Sequence, residues 1–410
     1  MGAVSKFPIL ITGGGIGGLT AALALHRAGV GAQVVMREND LCEQSPGAVV
    51  IWGNAVRILD RLGLGSRFRT LAMPITSGEI CSSIDMRKLH DFHSENEGAA
   101  GDWWVASRTE LRQCIFEALP PHSVSFGTKL ISYETNPFTN KVTAGLLSRT
   151  WHGCGEHDYG QEFLVTVDLL VGADGSRSFV RSEMTDIPSS ASSYSSSYTR
   201  WQCIVENRDT ETFPFHFSRE IWGSGRRFGT LRMSPIEVFW WAVANDDIFL
   251  RPFKPKLRRK FQHFPHKTAE LIESSGQIAR YCEPDFPLDF PWVHKGGVAL
   301  LGDAAHPGPP GFPDGCCLAI EDAYALSQSV TQYGLTSDAL WEYQCARRPR
   351  AVRSVLHGRA IWKIAQWEHP FARKAREKIL GYTGISQNTF LLCLLTRQPL
   401  SKLSGASKPL

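Results

Sequence analysis

Three glycines near the start of the chain, Gly13, Gly15 and Gly18, are spaced as G-x-G-x-x-G. Between a strand and a helix, such a loop is built for a pyrophosphate. The first glycine makes the tight turn, the second lets the anion reach the backbone, and the third lets helix and strand pack, with the helix N-terminus facing the negative charge. Glu38 follows Gly18 by twenty residues, where an acid at the end of the next strand binds the hydroxyl pair of a ribose. Two other carboxylates stand beside glycines, in Asp174-Gly175 and in Gly302-Asp303. The first pair turns the chain sharply, and Ser176 or Ser178 can cap the helix that follows. Asp303 ends an apolar strand, where open α/β sheets bind ligands and where a carboxylate needs donors such as polyol hydroxyls. Arg108 opens an expected helix, at the end whose dipole favours anions. It is either a solvent-facing side chain or the partner of a bound phosphate.

The elements that must position these residues are legible. Ile9 to Ile11 reads as a buried strand, Leu19 to Ala28 as an Ala/Leu-rich helix ended by Gly29 and Gly31, and Gln33 to Met36 as a second strand closing on Glu38. Together they make a β-α-β unit of about 30 residues. Residues 55–69 carry Val56, Leu59, Leu62 and Leu64 on one helical face, and Glu110 to Leu119 reads as another helix. Val165 to Val171 reads as a strand. The serine-rich stretch 188–197 is a loop or a domain crossing. Short aromatic and β-branched runs between Thr199 and Ala244 predict a second, sheet-rich domain. Val298 to Leu301 is a buried strand before a helix near Ala319 to Gln328, and from Ser337 onward the pattern is helical and basic. Gly223-Ser-Gly225 lacks a third glycine and reads as a turn.

Composition excludes several classes. The 410 residues are 43% hydrophobic and 20% charged, enough to bury a core. Lys and Arg number 44 against 40 Asp and Glu, leaving +4, too balanced for nucleic acid as the main partner. No run approaches the roughly 18 apolar residues of a membrane span. Phe7 to Ile11 is too brief for a secretory signal. Ten cysteines without a Cys-x-x-Cys pair read as reduced thiols of an intracellular, cytoplasmic protein rather than a disulfide framework.

With the three motifs in this order and spacing, and Ser107-Arg108-x-x-Leu111 between the first two, the chain resembles the single-component FAD-dependent monooxygenases, the flavin aromatic hydroxylases. It resembles most closely the branch of salicylate hydroxylase, urate hydroxylase and zeaxanthin epoxidase, with Trp222-Gly223, Phe228-Gly229 and Phe239-Trp240-Trp241 fitting that branch. The resemblance reaches to about residue 360. It implies an α/β fold: a Rossmann-like FAD-binding domain in segments 1–75, 103–183 and 281–350, a sheet-based substrate domain in 76–102 and 184–280, and a helical C-terminal part, 351–410. It implies non-covalent FAD, with NADPH or NADH as transient reductant and no metal. Glu38 would bind the adenosine ribose, Arg108 the phosphate or ribose region, and Asp303 the ribityl chain or pyrophosphate. Ala48 would line the flavin, Cys316 would bring backbone amides to the isoalloxazine, and Asp174 would serve FAD and the passing NAD(P)H.

Two departures from the family pattern stand out. Relatives commonly read Gln-Gly-Ala-Asn after the Gly-Asp motif, whereas this chain reads Asp314-Gly315-Cys316-Cys317. Asp314 is either a charge near the flavin, able to retune its reduction or bind a basic substrate nitrogen, or a surface loop acid. Relatives also carry Trp-Arg-Gly where this chain has Trp201-Gln202-Cys203, with Arg200 two positions before Gln202. Arg200 is either near the substrate or at a strand edge, and Arg232 falls near the position of a missing Tyr partner. Trp103-Trp104 and Trp240-Trp241 are either core packing or an aromatic substrate wall, with only one of each pair facing inward on a strand. His306 reads as a structural member of its turn or a catalyst. The implied activity is insertion of one oxygen atom from O2, through a flavin hydroperoxide, into a small aromatic or polycyclic molecule. An oxidase or dehydrogenase and a non-catalytic flavin protein are the rivals on the same fold; a flavin halogenase is disfavoured, because its Trp-x-Trp-x-Ile-Pro segment is absent.

Overall fold

The structure is a computed structural model describing residues 3–4, 7–41, 47–93, 103–148, 160–185, 187, 198–245, 253–282, 286–294, 296–309 and 314–382. Ile9–Thr12 is buried at every position and pairs in parallel with Ala32–Val35 on one side and Leu169–Gly172 on the other. Val298–Leu300 adds a further parallel strand beside Leu169–Gly172, and Val124–Ser125 closes the other edge. The helix Ile16–Arg27 buries nearly every residue from Ile16 to Leu25. It packs against the sheet and against the long helix Gly315–Tyr333. This is the parallel α/β layer that the glycine spacing predicts. A four-stranded sheet of Ala3–Val4, Gln161–Val167, Val142–Ser148 and Thr128–Thr135 shares the same core.

A second sheet has seven strands, in the order Ala279–Tyr281, Thr199–Glu206, Glu237–Ala244, Arg226–Ser234, Phe217–Trp222, Ser77–Ser82 and Lys88–His93. One face carries Trp201, Cys203, Phe228, Trp240 and Ala242 onto the helices Phe253–Phe261 and Thr268–Ser274. Gly223–Gly225 is the turn of the hairpin between Phe217–Trp222 and Arg226–Ser234.

The structure corrects two expected elements. The helix expected over 55–69 is two helices, Gly53–Arg61 and Gly65–Leu71. Gly63 takes φ +74°, and Leu64 N–H and Gly63 N–H donate to the carbonyls of Leu59 and Asp60. That pattern ends a helix and needs a residue at ease in the left-handed region. The strand expected over Val165 to Val171 is split at Asp168, whose N–H donates to Pro8 O at 2.8 Å. Residues before the split pair in the four-stranded sheet and those after it in the parallel sheet. The helix Ser337–Ala365 is continuous through position 350, so the expected boundary there cuts an intact element. The serine-rich stretch 188–197 and the apolar segment Phe390 to Leu395 lie outside the described residues.

The helices Gly315–Tyr333 and Ser337–Ala365 are fastened by buried charge. Arg347 is 1% exposed and donates to Asp322 Oδ1 at 2.8 Å, with Glu321 Oε2 at 2.6 Å from its other arm. Arg347→Met should leave two buried carboxylates with much less compensation, at a cost of about 3–5 kcal/mol. Urea unfolding of the variant and wild type checks this: a midpoint within error of wild type would show that Arg350 and His306 suffice.

Candidate active site

A cleft of about 1280 Å³ runs from the glycine loop, past the turn at Gly302, to the free face of the seven-stranded sheet. Its nucleotide end brings together residues far apart in sequence: Gly13, Gly15, Gly18, Glu38, Ala48, Arg108, Asp174, Asp303 and Cys316 all line it. Gly13 takes φ +111°, and a Cβ there would lie 2.2 Å from Ala173 O; a Cβ on Gly18 would lie 2.0 Å from Gly13 O. These two glycines are required by the protein's own packing. Gly15 is different, because a Cβ there would meet nothing within 4 Å. The chain leaves open space at the one fingerprint glycine against which a pyrophosphate would lie, beside the N-terminus of Ile16–Arg27. The residues present therefore fit a dinucleotide.

The charged residues are placed by their elements. Glu38 follows the Ala32–Val35 strand, with its side chain 15% exposed and accepting from Arg37 Nε at 3.2 Å. Ser107 caps the helix Arg108–Glu117 by accepting from Glu110 N–H, and Arg108 is that helix's first residue. Burial opposes the Arg108 charge, but Cys316, Tyr281 and Asp303 beside it outweigh that and raise its pKa. Asp303 lies in the 3-10 turn Gly302–Ala304 with its side chain open to the cleft. Cys316 stands in the first turn of Gly315–Tyr333, and burial pushes its thiol pKa up.

Asp174 spends its carboxylate on its own turn. It accepts from Ser178 Oγ at 2.6 Å and from the N–H groups of Phe179 and Val180 at 2.7 and 3.2 Å. Ser178 in turn accepts from Arg181 N–H at 2.9 Å, the capping expected of that serine. His306 is wholly buried, 2.6 Å from Asp322 Oδ2 and 5.3 Å centroid to centroid from Trp292. It serves its turn and does not line the cleft.

Asp314 is neither a surface loop acid nor part of the cleft lining. It is 1% exposed, at the N-terminus of Gly315–Tyr333 and one layer behind Gly315 and Cys316. Its Oδ2 accepts from Ser354 of the helix Ser337–Ala365, and its Oδ1 has no partner among the described residues. Burial raises its pKa to about 6.

At the other end of the cleft, Arg200 is buried, with Nε lacking a partner among the described residues. Burial lowers its pKa to about 10. It pairs across strands with Tyr281, and Gln202, one pleat along on the same face, donates to Tyr281 Oη at 3.4 Å. Arg232 points elsewhere: it donates to the carbonyls of Phe213 and Asn207 at 2.7 and 2.9 Å and fixes that loop. Of the Trp240-Trp241 pair, Trp240 is core and Trp241 lines the cleft, as strand alternation requires. Trp103 packs on Trp52 and Trp104 on Phe68. Sequence reasoning missed Glu220, Arg227, Tyr281 and His90, which also line the cleft. Glu220 and Arg227 each stand beside a second charged residue, Arg219 and Arg226, in short strands, and that was a signal; Tyr281 and His90 carried none.

Two outcomes follow. Gly15→Ala should keep the fold yet weaken binding of a flavin dinucleotide, whereas Gly18→Ala should lower thermal stability because its Cβ strikes Gly13 O. Melting curves and flavin titration separate the two, and equal behaviour would refute the assignment. For Asp314, the folded pKa near 6 exceeds the ordinary 3.8, so the folded chain holds a proton that the unfolded chain has released. That stability is lost as pH rises from about 4 to 6. Asp314→Asn should remove this loss, measured as unfolding free energy against pH.

The FAD binding domain family matches residues 6–220. The aurachin C monooxygenase/isomerase of Stigmatella aurantiaca is 30% identical over 384 residues, covering 91% of this chain and 93% of that protein. The 2-heptyl-3-hydroxy-4(1H)-quinolone synthase of Pseudomonas aeruginosa is 25% identical over 373 residues, covering 89% and 91%. The structure of Klebsiella pneumoniae HpxO complexed with FAD and uric acid aligns with a TM-score of 0.76 at 23% identity, covering 95% of this chain and 98% of that one. No helix of the described residues is long and apolar enough to cross a membrane. Motifs, fold and cleft agree with these relatives, and the chain belongs to the FAD binding domain family as a single-component, FAD-dependent monooxygenase.

Proposed function

We propose that the substrate is a planar fused heteroaromatic of the quinolone type, bearing a ring oxygen and an apolar substituent. The observation that carries this reading is Arg200, a buried guanidinium whose Nε has no hydrogen-bond partner among the described residues, in a cleft wall that also presents Trp241, Phe239, Leu231 and Trp222. A buried cation with no carboxylate in hydrogen-bonding contact among the described residues calls for an anionic or carbonyl oxygen on a ligand. Beyond Trp222 the cleft continues along Ile80, Ile361, Trp362 and Leu380, which suits an alkyl or prenyl chain. A relative named for a quinolone, the 2-heptyl-3-hydroxy-4(1H)-quinolone synthase, supports the class.

In this reading Glu38 holds the adenosine ribose, the Gly13–Gly18 loop and Arg108 the phosphates, and Asp303 the ribityl hydroxyls. Ala48 and the backbone at Gly315-Cys316 face the isoalloxazine. The bound cofactor supplies reduction by NAD(P)H and activation of O2. One oxygen atom enters the substrate and the other leaves as water, with one NAD(P)H and one proton consumed. Arg200 donates to the substrate oxygen and favours its ionised form, which enriches the neighbouring ring carbon in electrons. Tyr281 and Gln202 set the position of that oxygen. Trp222, Phe239 and Leu231 exclude water from the reacting carbon. A cytoplasmic setting fits the unpaired thiols of Cys81, Cys114, Cys203, Cys282, Cys316, Cys317 and Cys345.

Incubation with 2-alkyl-4(1H)-quinolones under 18O2 should give products heavier by one labelled oxygen. Arg200→Gln should raise KM on the order of ten- to a hundredfold, the worth of a charge-assisted hydrogen bond of about 1.5–3 kcal/mol, while FAD stays bound. Absence of labelled product from every planar heteroaromatic tried would refute the class, and an unchanged KM would refute the role of Arg200.

A further inference from the structure

The free face of the seven-stranded sheet is the floor of the substrate end. Strand registers set Gln202, Trp241, Gly229, Glu220 and Ile80 side by side on neighbouring strands, so all five address the same face. Gly229 is the exception in this row. Its φ is not in the left-handed region, so backbone conformation does not call for glycine. A mid-strand glycine weakens the sheet and marks a close approach. The approaching group is Trp241, because a Cβ on residue 229 would lie 2.0 Å from Trp241 Cζ2 and 2.1 Å from Cε2.

Side chains on a sheet ordinarily stand away from it. This indole lies down across the neighbouring strand instead, and it is held there. Trp241 Nε1–H donates to Glu220 Oε1 at 3.3 Å, and Arg227 donates to the same oxygen at 3.1 Å. Arg227 is fixed in turn by Gln366 at 3.1 Å and by the Trp362 ring, 4.1 Å from its guanidinium carbon. Phe239 extends the flat surface, its ring 5.6 Å from Trp241 and tilted by 30°. Trp241 is half-buried and lines the cleft, so the lower face of the ring is spent on Gly229 and the cleft lies on its other side.

We propose that Trp241, laid across Gly229 and latched by Glu220, is the platform on which the planar substrate stacks, and that the missing Cβ at 229 sets the height of the cavity. The proposal rests on the planar-substrate reading above and adds the residues that select for planarity. Stacking favours flat π-systems and is indifferent to their polar edges. The platform therefore chooses ring shape while Arg200 chooses the oxygen.

The test is a double-mutant cycle on the FAD-loaded protein, with 2-heptyl-4(1H)-quinolone as the probe. Kd is read from flavin absorbance and tryptophan fluorescence, and KM and kcat from turnover. Gly229→Ala lifts the indole into the cavity and should raise Kd at least tenfold. Trp241→Leu should raise it similarly and Trp241→Phe much less. Gly229→Ala added to Trp241→Leu should cost little more, because no indole remains to be lifted. Bound FAD reports folding; if Gly229→Ala loses FAD, the Trp241→Leu and Trp241→Phe pair carries the test alone. Equal Kd for wild type, Trp241→Leu and Trp241→Phe, or losses that simply multiply in the double variant, overturns the platform. A wild type that binds no quinolone instead overturns the substrate class on which the platform rests.

Discussion

Asp322 is the constraint on which the geometry of the site depends. Its carboxylate is wholly buried and meets three groups at once. Oδ2 accepts from Gly302 N–H at 3.2 Å and lies 2.6 Å from His306, while Oδ1 accepts from Arg347 at 2.8 Å. Burial works against its charge, yet His306 and Arg347 hold its pKa below the usual carboxylate range. Through these bonds one side chain ties its own helix to the Gly302–His306 turn and to the helix Ser337–Ala365. That turn aims Asp303 into the cleft, and the same helix presents Gly315 and Cys316 to it. Tyr343 adds a bond to Leu300 O at 2.8 Å, fixing the strand that leads into the turn. The nucleotide end is thus held from behind by a charge network that never touches the ligand.

The substrate end is built on a different principle. The seven-stranded sheet uses one face for its own core and keeps the other for the ligand. The core face is aromatic and aliphatic. The ligand face mixes Trp241 and Phe239 with Arg200, Gln202, Glu220 and Arg227. Burying these charges is costly, and the chain offsets the cost unevenly. Arg227 has Glu220 and Gln366 for two of its nitrogens, whereas Arg200 Nε has no hydrogen-bond partner among the described residues. A fold keeps a buried polar group unsatisfied where something other than stability requires it. The helix Ser337–Ala365 also contributes to this end, since Ser354, His357 and Trp362 line the cleft. It is a wall of the site as well as a brace for the nucleotide domain.

The departures from the family pattern acquire physical meaning only in three dimensions. Gln202 and Arg200 are two residues apart, so a strand puts them on one face, and the positive charge stands one pleat along from the position where relatives carry arginine. Asp314 reads from sequence as either a charge near the flavin or a surface loop acid, and it is buried outside the cleft lining. It turns instead toward Ser354, where burial favours its protonated form.

The sequence by itself determined the nucleotide end: Gly13, Gly15, Gly18, Glu38 and Asp303 are read from local spacing because a turn, a helix start and a strand end are local structures. It also determined the two-domain α/β plan, since hydrophobic period follows from each element's own burial. Tertiary structure alone decided that Gly63 breaks a helix, that Asp168 divides one apolar run between two sheets, and that Asp322 holds the turn. It alone decided which of two adjacent tryptophans lines the cleft and that the Trp241 indole leaves no room for a side chain at residue 229. Those facts depend on strand register and on the packing of segments distant in sequence, and neither leaves a mark in local composition.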